Sequence, residues 1–377
     1  MQKINRWLLN FVSAMKNENK EIDLVIYCRD VEKACSHLSK IEDVVLTQKF
    51  PFIHAVGVRA KFSLLERISN IQEVKHITYS ASVFAQMEKS KNIIKVSSFH
   101  DEGFFGSGVN VAVIDTGCFS HFDLSFPENR VLFFKDLIAG RKNSYDDNGH
   151  GTFVCGIIAG DGLLSCGKFC GVAPKSNLIV IKALDEKGET SAFQILEAMQ
   201  WIFDNREKYN IKVVCMSFGS NPLGSGDPLV SGAEKLWRAG IVVVVAGGNS
   251  GPENKTIKSP GVSPRVITVG AIDCKIENEM KIANFSSRGP TAFGSKPDLV
   301  APGVEIVGLG GFDENYKTMS GTSMSTPIVA GVCALMLEKW PKLSPDQVKM
   351  KLMQSGQKIA FDRNMEGAGV VDCSKIS

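Results

Sequence analysis

The hydrophobic pattern of the chain changes near residue 92. Beyond that point apolar residues form nearly unbroken runs, which predict strands over 109–115, 177–184, 211–218, 240–247 and 266–272. Segments with helical spacing lie between and after these strands, over 191–205, 228–239 and 344–354. Continuous apolar strands are typical of a parallel sheet covered on both faces. The alternation therefore predicts an α/β fold with a doubly wound, mostly parallel sheet and helices on both faces.

The first eighty residues follow a different pattern, with shorter strands and two helices. Strands and helices alternate as β-α-β-β-α-β over 22–28, 30–40, 43–48, 52–60, 63–71 and 74–79. This order is the ferredoxin-like split pattern and predicts a small α+β domain. The polar, small residues over 80–91 then read as a linker. We expect three parts: an α+β domain over 1–85, a linker and processing region over 86–104, and the larger domain over 105–377.

Two helix starts carry the same capping signal. Ser191 with Gln194, and Ser344 with Gln347, form the Ser-x-x-Gln spacing of a capping box. Pro345 stands at the first helical position, where its missing N–H has no cost. Both helices are therefore expected to begin directly after these serines.

Composition excludes several classes of function. The net charge is +3, and no basic stretch alternates with aromatic residues, so a nucleic-acid partner is not expected. No apolar run approaches the roughly 20 residues that a membrane span needs, so no membrane partner is expected. The N-terminus reads as a short amphipathic helix rather than a secretion signal. The ten cysteines follow no disulfide framework or paired zinc pattern, which favours a reducing, cytoplasmic setting.

Candidate chemistry lies where strands end, because sites in open α/β sheets lie at the carboxyl ends of strands. The run VAVID ends in Asp115, and VVVVAGGN ends in the amide Asn249. The run VVCMSFG ends in Ser217, Phe218 and Gly219. Taken singly, Asp115 and Asn249 could equally be turn or capping residues.

A histidine and a serine complete the candidate set. His150 has a glycine on each side and is followed by an apolar helical run. Ser323 lies in SGTSMSTP, directly before a second apolar helix, so it occupies a helix N-terminus where free N–H groups stabilise an oxyanion. Each residue alone has a structural explanation, whereas their combination in one chain favours nucleophilic catalysis.

These segments resemble the catalytic blocks of the subtilisin-like serine proteases. VAVIDTG, NGHGTFVCGIIAG and SGTSMSTP match the family's blocks in the order Asp, His, Ser, and AGGNSG matches its oxyanion block. NFSSRGP and KPDLVAPG are further family-like stretches, and the match covers about residues 92–372. The segments YDDNGHGT and GKFCGVAP are most similar to the corresponding sequences of the intracellular bacterial, alkaline-protease-X-like branch. The α+β domain resembles the family's inhibitory propeptide.

The resemblance implies a serine endopeptidase that works through an acyl-enzyme. Ser323 would be the nucleophile, His150 the general base and acid, and Asp115 the residue that orients His150. Asn249 would supply the oxyanion hole together with the Ser323 N–H. The implied substrate-binding residues are Ser217, Phe218, Gly219, Gly188 and Thr190.

The resemblance also implies a self-processing zymogen. Its partners would be a protein or peptide substrate and its own N-terminal propeptide in the cleft, with cleavage between Ser82 and Lys91. Two alternatives stay open: a catalytically silent regulator that keeps the protease fold, and a dedicated processing protease for one partner, for example in sporulation or germination. The intact set of catalytic residues argues against the silent regulator.

Three departures from the family pattern carry expectations of their own. Thr190 stands where relatives often have glycine, and Glu186 and Glu189 beside it should disfavour acidic residues upstream of the cut. Asp161 is the only carboxylate in the loop that holds calcium in secreted relatives, so we expect no required cofactor, with Asp123 as the remaining candidate ligand. Cys155, about one helical turn past His150, is expected to be a buried thiol through which mercurials could inactivate the enzyme.

Overall fold

The computed structural model describes residues 3–4, 21–79, 89–274, 279–311, 315–360 and 362–377. Contacts divide the chain into two compact units, Met1–Phe84 and Ala85–Ser377. The helix expected at the N-terminus falls almost wholly outside the described residues, as do residues 80–88 of the predicted processing region. No helix among the described residues is long and apolar enough to cross a membrane.

The first unit is a four-stranded antiparallel sheet with two helices. Its elements are β1 (Glu21–Cys28), α1 (Val31–Leu38), β2 (Val44–Phe50), β3 (Ala55–Lys61), α2 (Leu65–Ser69) and β4 (Val74–Tyr79). The strand order is β2-β3-β1-β4, so the two central strands are β3 and β1. Leu24, Ile26, Leu38 and Ile77 are buried in its core. The element order predicted from the hydrophobic pattern is the order observed.

The second unit is built on a sheet whose strands are mostly parallel. Its strands are β5 (Asn110–Asp115), β6 (Val131–Asp136), β7 (Asn177–Lys182), β8 (Ile211–Met216), β9 (Val242–Ala246), β10 (Ile267–Asp273), β11 (Lys281–Ile282) and β12 (Leu299–Pro302). The order is β11-β10-β9-β8-β5-β7-β6, and β12 also pairs with β10. Only β11 is antiparallel to its neighbour among these described strands. A separate hairpin joins β13 (Ile306–Leu309) to β14 (Tyr316–Met319).

Helices cover this sheet. They are α3 (Lys89–Ile94), α4 (Ser97–His100), α5 (Phe122–Ser125), α6 (His150–Ala159), α7 (Ala192–Asn205), α8 (Pro228–Arg238), α9 (Thr322–Lys339), α10 (Pro345–Ser355) and α11 (Arg363–Glu366). Helix α9 packs on α6 and across β8, β9 and β10, whereas α7 packs on α8. Because it is enclosed by these neighbours, α9 is buried from Met324 to Leu337. The α/β class predicted from the apolar runs is confirmed.

The sheet contains a switch point at β5. After β5 the chain fills the positions on one side with β6 and β7, and it then crosses to the other side with β8, β9 and β10. Loops leaving the carboxyl ends of β5 and β8 therefore diverge and leave a crevice between them. Asp115 ends β5, and Ser217 directly follows β8, so both border this crevice.

Outside the crevice, the structure changes the sequence predictions made for residues 89–104 and for Ser191. Residues 89–104, predicted as linker, include α3 and α4, and Ile94, Val96 and Phe99 are buried in the core of the second unit. The capping box predicted at Ser191 is not formed, because the Ser191 hydroxyl bonds the Gln194 side chain. The box at Ser344 and Gln347 is formed in both directions.

Candidate active site

Asp115 and His150 form the most buried part of the candidate site. Asp115 is 1% exposed at the end of β5, and its Oδ1 accepts hydrogen bonds from the backbone N–H of Thr116 and from His150 Nδ1, both at 2.7 Å. The His150 side chain is 21% exposed, so its other ring nitrogen remains near solvent. A carboxylate bonded to Nδ1 fixes the tautomer in which Nε2 is free to accept a proton.

Glycine makes the close approach of these two residues possible. His150 begins α6 directly after Gly149, whose φ of +90° lies in the left-handed region. A Cβ on Gly151 would lie 2.1 Å from the carbonyl oxygen of Gly117, in the loop that follows Asp115. The backbone of α6 therefore touches the backbone of that loop, which sets the spacing of Asp115 and His150.

Asp146 holds the segment that leads into α6. Its carboxylate accepts from the hydroxyls of Thr116 and Thr152 at 2.9 and 2.6 Å and from the backbone N–H of Gly149 and Thr152, both at 2.8 Å. Burial alone would raise the pKa of this carboxyl, but these hydrogen bonds outweigh it and hold the pKa below its ordinary value. Asp146 is therefore a partly buried anion that fixes the loop before His150.

The electrostatic setting of His150 favours its protonated form. Burial lowers the pKa of the imidazole, but the charge and hydrogen bond of Asp115 and the charge of Asp146 raise it by more. The charge of Lys317 acts in the opposite direction. The net pKa of His150 lies above its ordinary value of 6.5, which suits a base that must hold a proton during a reaction.

Lys182 supports the same side of the crevice and was not singled out from the sequence. It ends β7 opposite Asp115 and is fully buried. Its ammonium donates to the carbonyls of Thr116 and Leu184 at 2.6 and 2.9 Å and to Asp147 at 2.7 Å. The sequence did carry a signal for this residue, because Lys182 lies in an apolar strand. A lysine in such a strand is rarely buried unless it has hydrogen-bonding partners, so partners nearby could have been expected.

Ser323 lies across the crevice, in the first turn of α9. The helix begins after Gly321, whose φ of +155° is in the region that favours glycine. The Ser323 hydroxyl donates to the carbonyl oxygen of Ser217 at 2.8 Å. Among the described residues no hydrogen bond joins Ser323 to His150, although both line the same cavity. The candidate nucleophile Ser323 thus shares a cavity with His150, but its hydroxyl is hydrogen-bonded to Ser217.

Asn249 is held by the residue that precedes Ser323. Its side-chain oxygen accepts from the Thr322 N–H at 2.9 Å and from the Thr322 hydroxyl at 3.0 Å. The Thr322 hydroxyl in turn accepts from the Gly248 N–H at 3.2 Å. Because Oδ1 is engaged in this way, the amide is oriented with its Nδ2 donor available on the cavity side.

A cavity of about 410 Å³ joins the predicted residues. Its lining includes His150, Gly188, Ser217, Phe218, Gly219, Asn249, Lys258 and Ser323. Asp115 lies buried behind His150, and Thr190 is exposed and stands outside the lining. Lys187 borders the cavity, whereas Glu186 and Glu189 do not. The crevice therefore presents lysines, and not the two glutamates emphasised by the sequence, to a molecule that enters it.

The two candidate calcium ligands do not fit a tight metal site. Asp123 is buried, and its oxygens accept from the backbone N–H of Leu164 at 2.9 Å and the hydroxyl of Tyr316 at 2.5 Å. Burial raises the pKa of Asp161 to about 7, with the charge of Asp123 acting in the same direction. Within the described ranges, no group of three or more His, Cys, Asp or Glu side chains is arranged to hold a metal ion.

Cys155 is buried in α6, as the sequence predicts. Its thiol bonds the thiol of Cys118, and this contact together with burial raises its pKa well above the ordinary value. The Cys155 thiol is therefore protonated, and both side chains are shielded from solvent.

Comparison with known proteins agrees with this geometry. The family model described as "Subtilase family" matches residues 106–369. The chain is 40% identical to serine protease AprX of Bacillus subtilis (strain 168) over 83% of this chain and 76% of the relative. It is 30% identical to the thermostable alkaline protease of Halalkalibacterium halodurans over 97% of this chain and 94% of the relative.

Solved structures give the same result. The structure of sphericase superposes with a TM-score of 0.65 at 28% identity, covering 78% of this chain and 99% of the other. A structure described as S41 psychrophilic protease also gives a TM-score of 0.65, at 30% identity. With more than half of its length matched by the family model, this chain belongs to the subtilase family of serine proteases.

Proposed function

We propose that the chain is an endopeptidase that hydrolyses peptide bonds through Asp115, His150 and Ser323. The observation that carries the proposal is the 2.7 Å bond between Asp115 and His150 Nδ1, with Ser323 on the wall of the same cavity. An anionic partner on Nδ1 stabilises the imidazolium that forms when Nε2 takes a proton.

The reaction begins when the Ser323 hydroxyl leaves the Ser217 carbonyl and donates to His150 Nε2. Oγ then attacks the carbonyl carbon of the substrate, and the imidazole takes the proton. Asn249 Nδ2 and the Ser323 N–H donate to the oxyanion, at the positive end of α9. His150 next protonates the leaving amine, and the acyl-enzyme remains. Water, deprotonated by His150, then releases the acyl product and restores Ser323.

The substrate would bind in an extended conformation along the exposed edge after β8. Ser217, Phe218 and Gly219 provide one edge, and the segment with Gly188 and Thr190 provides the other. An extended peptide between two edges makes main-chain hydrogen bonds to both, so affinity depends little on side chains. Gly188 borders the cavity and Thr190 lies further out, so Thr190 would contact positions more remote from the cut.

The first unit would act as an inhibitory propeptide that the enzyme removes from itself. Its α+β fold and its position before the protease unit support this role. Cleavage would occur between Ser82 and Lys91, of which Lys89–Lys91 belong to α3. When the two proteins are expressed separately under the same conditions, wild type should yield a shortened product, whereas Ser323→Ala should remain full-length. Two full-length proteins would contradict self-processing.

The reaction as proposed uses only groups of the chain and requires no cofactor. The Asp123 oxygens are already engaged by Leu164 and Tyr316, which supports independence from a strong calcium site. All ten cysteines are free thiols, and eight of them are buried, which supports a reducing, cytoplasmic setting.

The intact mass of the purified protein, with and without a serine-directed phosphonate, tests the proposal. One added phosphonyl group on wild type and none on Ser323→Ala is the expected result. Absence of labelling would favour the catalytically silent alternative. Casein hydrolysis then separates a general protease from a dedicated processing enzyme, since the latter would cleave itself and leave casein intact.

A further inference from the structure

Lys258 lines the cavity that also contains His150, Asn249 and Ser323. Its backbone N–H donates to the Gly247 carbonyl at 2.9 Å, and the next residue, Ser259, exchanges two backbone hydrogen bonds with Ser220. These contacts attach the lysine to the segments that follow β8 and β9. The lysine therefore connects the segment after β8 with the segment after β9. Both segments line the cavity that contains Ser323 and Asn249.

The lysine stem fills space that side chains on the two walls would otherwise occupy. A Cβ on Gly219 would lie 2.7 Å from Lys258 Cβ, and a Cβ on Gly248 would lie 2.5 Å from Lys258 Cγ. Two glycines thus leave room for one long cationic side chain. Its ammonium donates to Asn221 Oδ1 at 2.7 Å, which uses one of its three N–H donors.

No carboxylate neutralises this ammonium among the described residues. Its one hydrogen-bond acceptor there is the neutral amide of Asn221. Lys187 adds a second cation to the cavity wall, and Lys317 lies beside the start of α6. Asp115 is buried and bonded to His150, so its charge is already paired. The cavity lining therefore carries two lysines and no carboxylate among the described residues.

We infer that the enzyme prefers an acidic side chain on the residue whose carbonyl is attacked, and that Lys258 determines this preference. The inference rests on the proposed function. With the carbonyl carbon at Ser323 and its oxygen at Asn249, that residue's side chain would enter the cavity that Ser217, Gly219 and Gly248 line. The Lys258 stem packs against Gly219 and Gly248 on the same lining. A glutamate carboxylate there would accept from the two remaining N–H donors in a charge-assisted contact.

The repulsion expected from Glu186 and Glu189 concerns other substrate positions. Neither glutamate lines the cavity, and both are exposed on the outer part of the edge that ends near Thr190. Phe218 and Met319 supply apolar surface to the same cavity, which would suit an uncharged aromatic side chain instead. A substrate series that varies charge at constant shape separates these two readings.

The test uses the full, processed enzyme and peptides that differ only at the residue before the cut: Glu, Gln, Leu, Phe or Lys. For wild type we expect kcat/KM for Glu about tenfold above that for Gln, declining at high salt because the contact is ionic. Lys258→Met should remove the Glu-over-Gln preference, Lys258→Arg should retain it, and Lys258→Glu should favour Lys instead. Lys342→Met, with the same loss of charge at an exposed site remote from the cavity, should leave the ratio unchanged.

Phosphonate labelling of every variant separates the two levels of the argument. Labelled, active enzyme with equal rates for Glu and Gln in wild type would overturn the specificity inference alone. The same conclusion follows if Lys258→Met keeps the wild-type ratio. Failure of wild type to take up the phosphonate or to cleave any peptide would overturn the proposed function, and the inference with it.

Discussion

The two sides of the active-site crevice are built differently. On the side of Asp115 and His150, charged groups are each fixed by several hydrogen bonds. The partly buried Asp146 accepts from threonine hydroxyls and backbone N–H groups, and the fully buried Lys182 donates to three acceptors. On the side of Ser323, Asn249 is exposed and Lys258 is half-buried, with hydrogen bonds to neutral groups. The proposed base is therefore already bonded to its carboxylate, whereas the proposed nucleophile and the residue proposed to determine specificity are bonded to neutral groups.

Because of this difference, we expect substitutions on the two sides of the crevice to have different effects. A preformed acid–base pair lowers the reorganisation needed during proton transfer. The Ser323 hydroxyl is bonded to the Ser217 carbonyl and lines the same cavity as His150, so in the proposed reaction it must exchange that partner for His150. Changes on the base side should therefore cost stability together with rate, and changes on the serine side should cost rate or alter selectivity.

Asp115→Asn gives the largest expected effect. It keeps the shape of the side chain but removes the charge that stabilises the imidazolium, so kcat should fall by about 10⁴-fold, as for triad aspartates in other serine proteases. Hydrolysis of a peptide that wild type cleaves measures this. Asp204→Asn, on α7, is the control and should keep full activity. A loss below tenfold in Asp115→Asn would refute a preformed charged base.

Asn249→Ala tests the serine side and should have a smaller effect. Removal of the side-chain donor should lower kcat by about 10²–10³-fold, the range known for this family's oxyanion asparagine, with little change in KM. Circular dichroism and the unfolding midpoint should stay close to wild type, because Asn249 is exposed. A clearly lower unfolding midpoint in Asn249→Ala would show that the Ser323 side also contributes to stability, and would contradict the difference between the two sides.

Lys182→Met tests whether the base side is also a structural element. It leaves Asp147 and the carbonyls of Thr116 and Leu184 without their buried partner, so the free energy of unfolding should fall by about 3 kcal/mol. Urea unfolding in the Ser323→Ala background, which prevents autolysis, measures the loss. Lys342→Met should change it by less than about 0.5 kcal/mol. Equal stability of the two variants would mean that Lys182 is dispensable.

The pH dependence of kcat/KM gives the smallest effect. The reaction needs neutral His150, and the pKa of His150 lies above 6.5, so activity should rise with pH through a midpoint above that value. The charge of Lys317 lowers this pKa, so Lys317→Met should move the midpoint to higher pH, most clearly at low salt. A midpoint displaced to lower pH would contradict the electrostatic description of the base side.

The sheet could be predicted, and the candidate catalytic residues could be named, because their signals are local. Apolar runs buried on both faces marked β5, β7, β8, β9 and β10. Strand β6 was missed because it lies at the sheet edge, where Leu132 is 53% exposed and the pattern is mixed. The short β12, β13 and β14 have too few residues to show a period. Ser191 misled the prediction because its hydroxyl found the Gln194 side chain rather than the backbone.

The residues that sequence reasoning missed depend on contacts between distant segments. Lys182 carried a weak local signal, an ammonium inside an apolar strand. Lys258 carried none, because its position follows from the backbone bonds between Ser259 and Ser220 and between Lys258 and Gly247. Glu186 and Glu189 were emphasised because they stand beside Thr190 in the segment that the resemblance assigned to the substrate edge, yet they do not line the cavity.

The contact between Gly151 and Gly117 has a consequence for how this enzyme can vary. A side-chain carbon at position 151 would overlap the Gly117 carbonyl, so even alanine would force α6 away from the loop after Asp115. In a library of all single substitutions selected for activity, position 151 should be empty of survivors. The alignment of Asp115 with His150 thus depends on the missing side chain of Gly151. Evolution can keep this alignment only by keeping glycine at position 151.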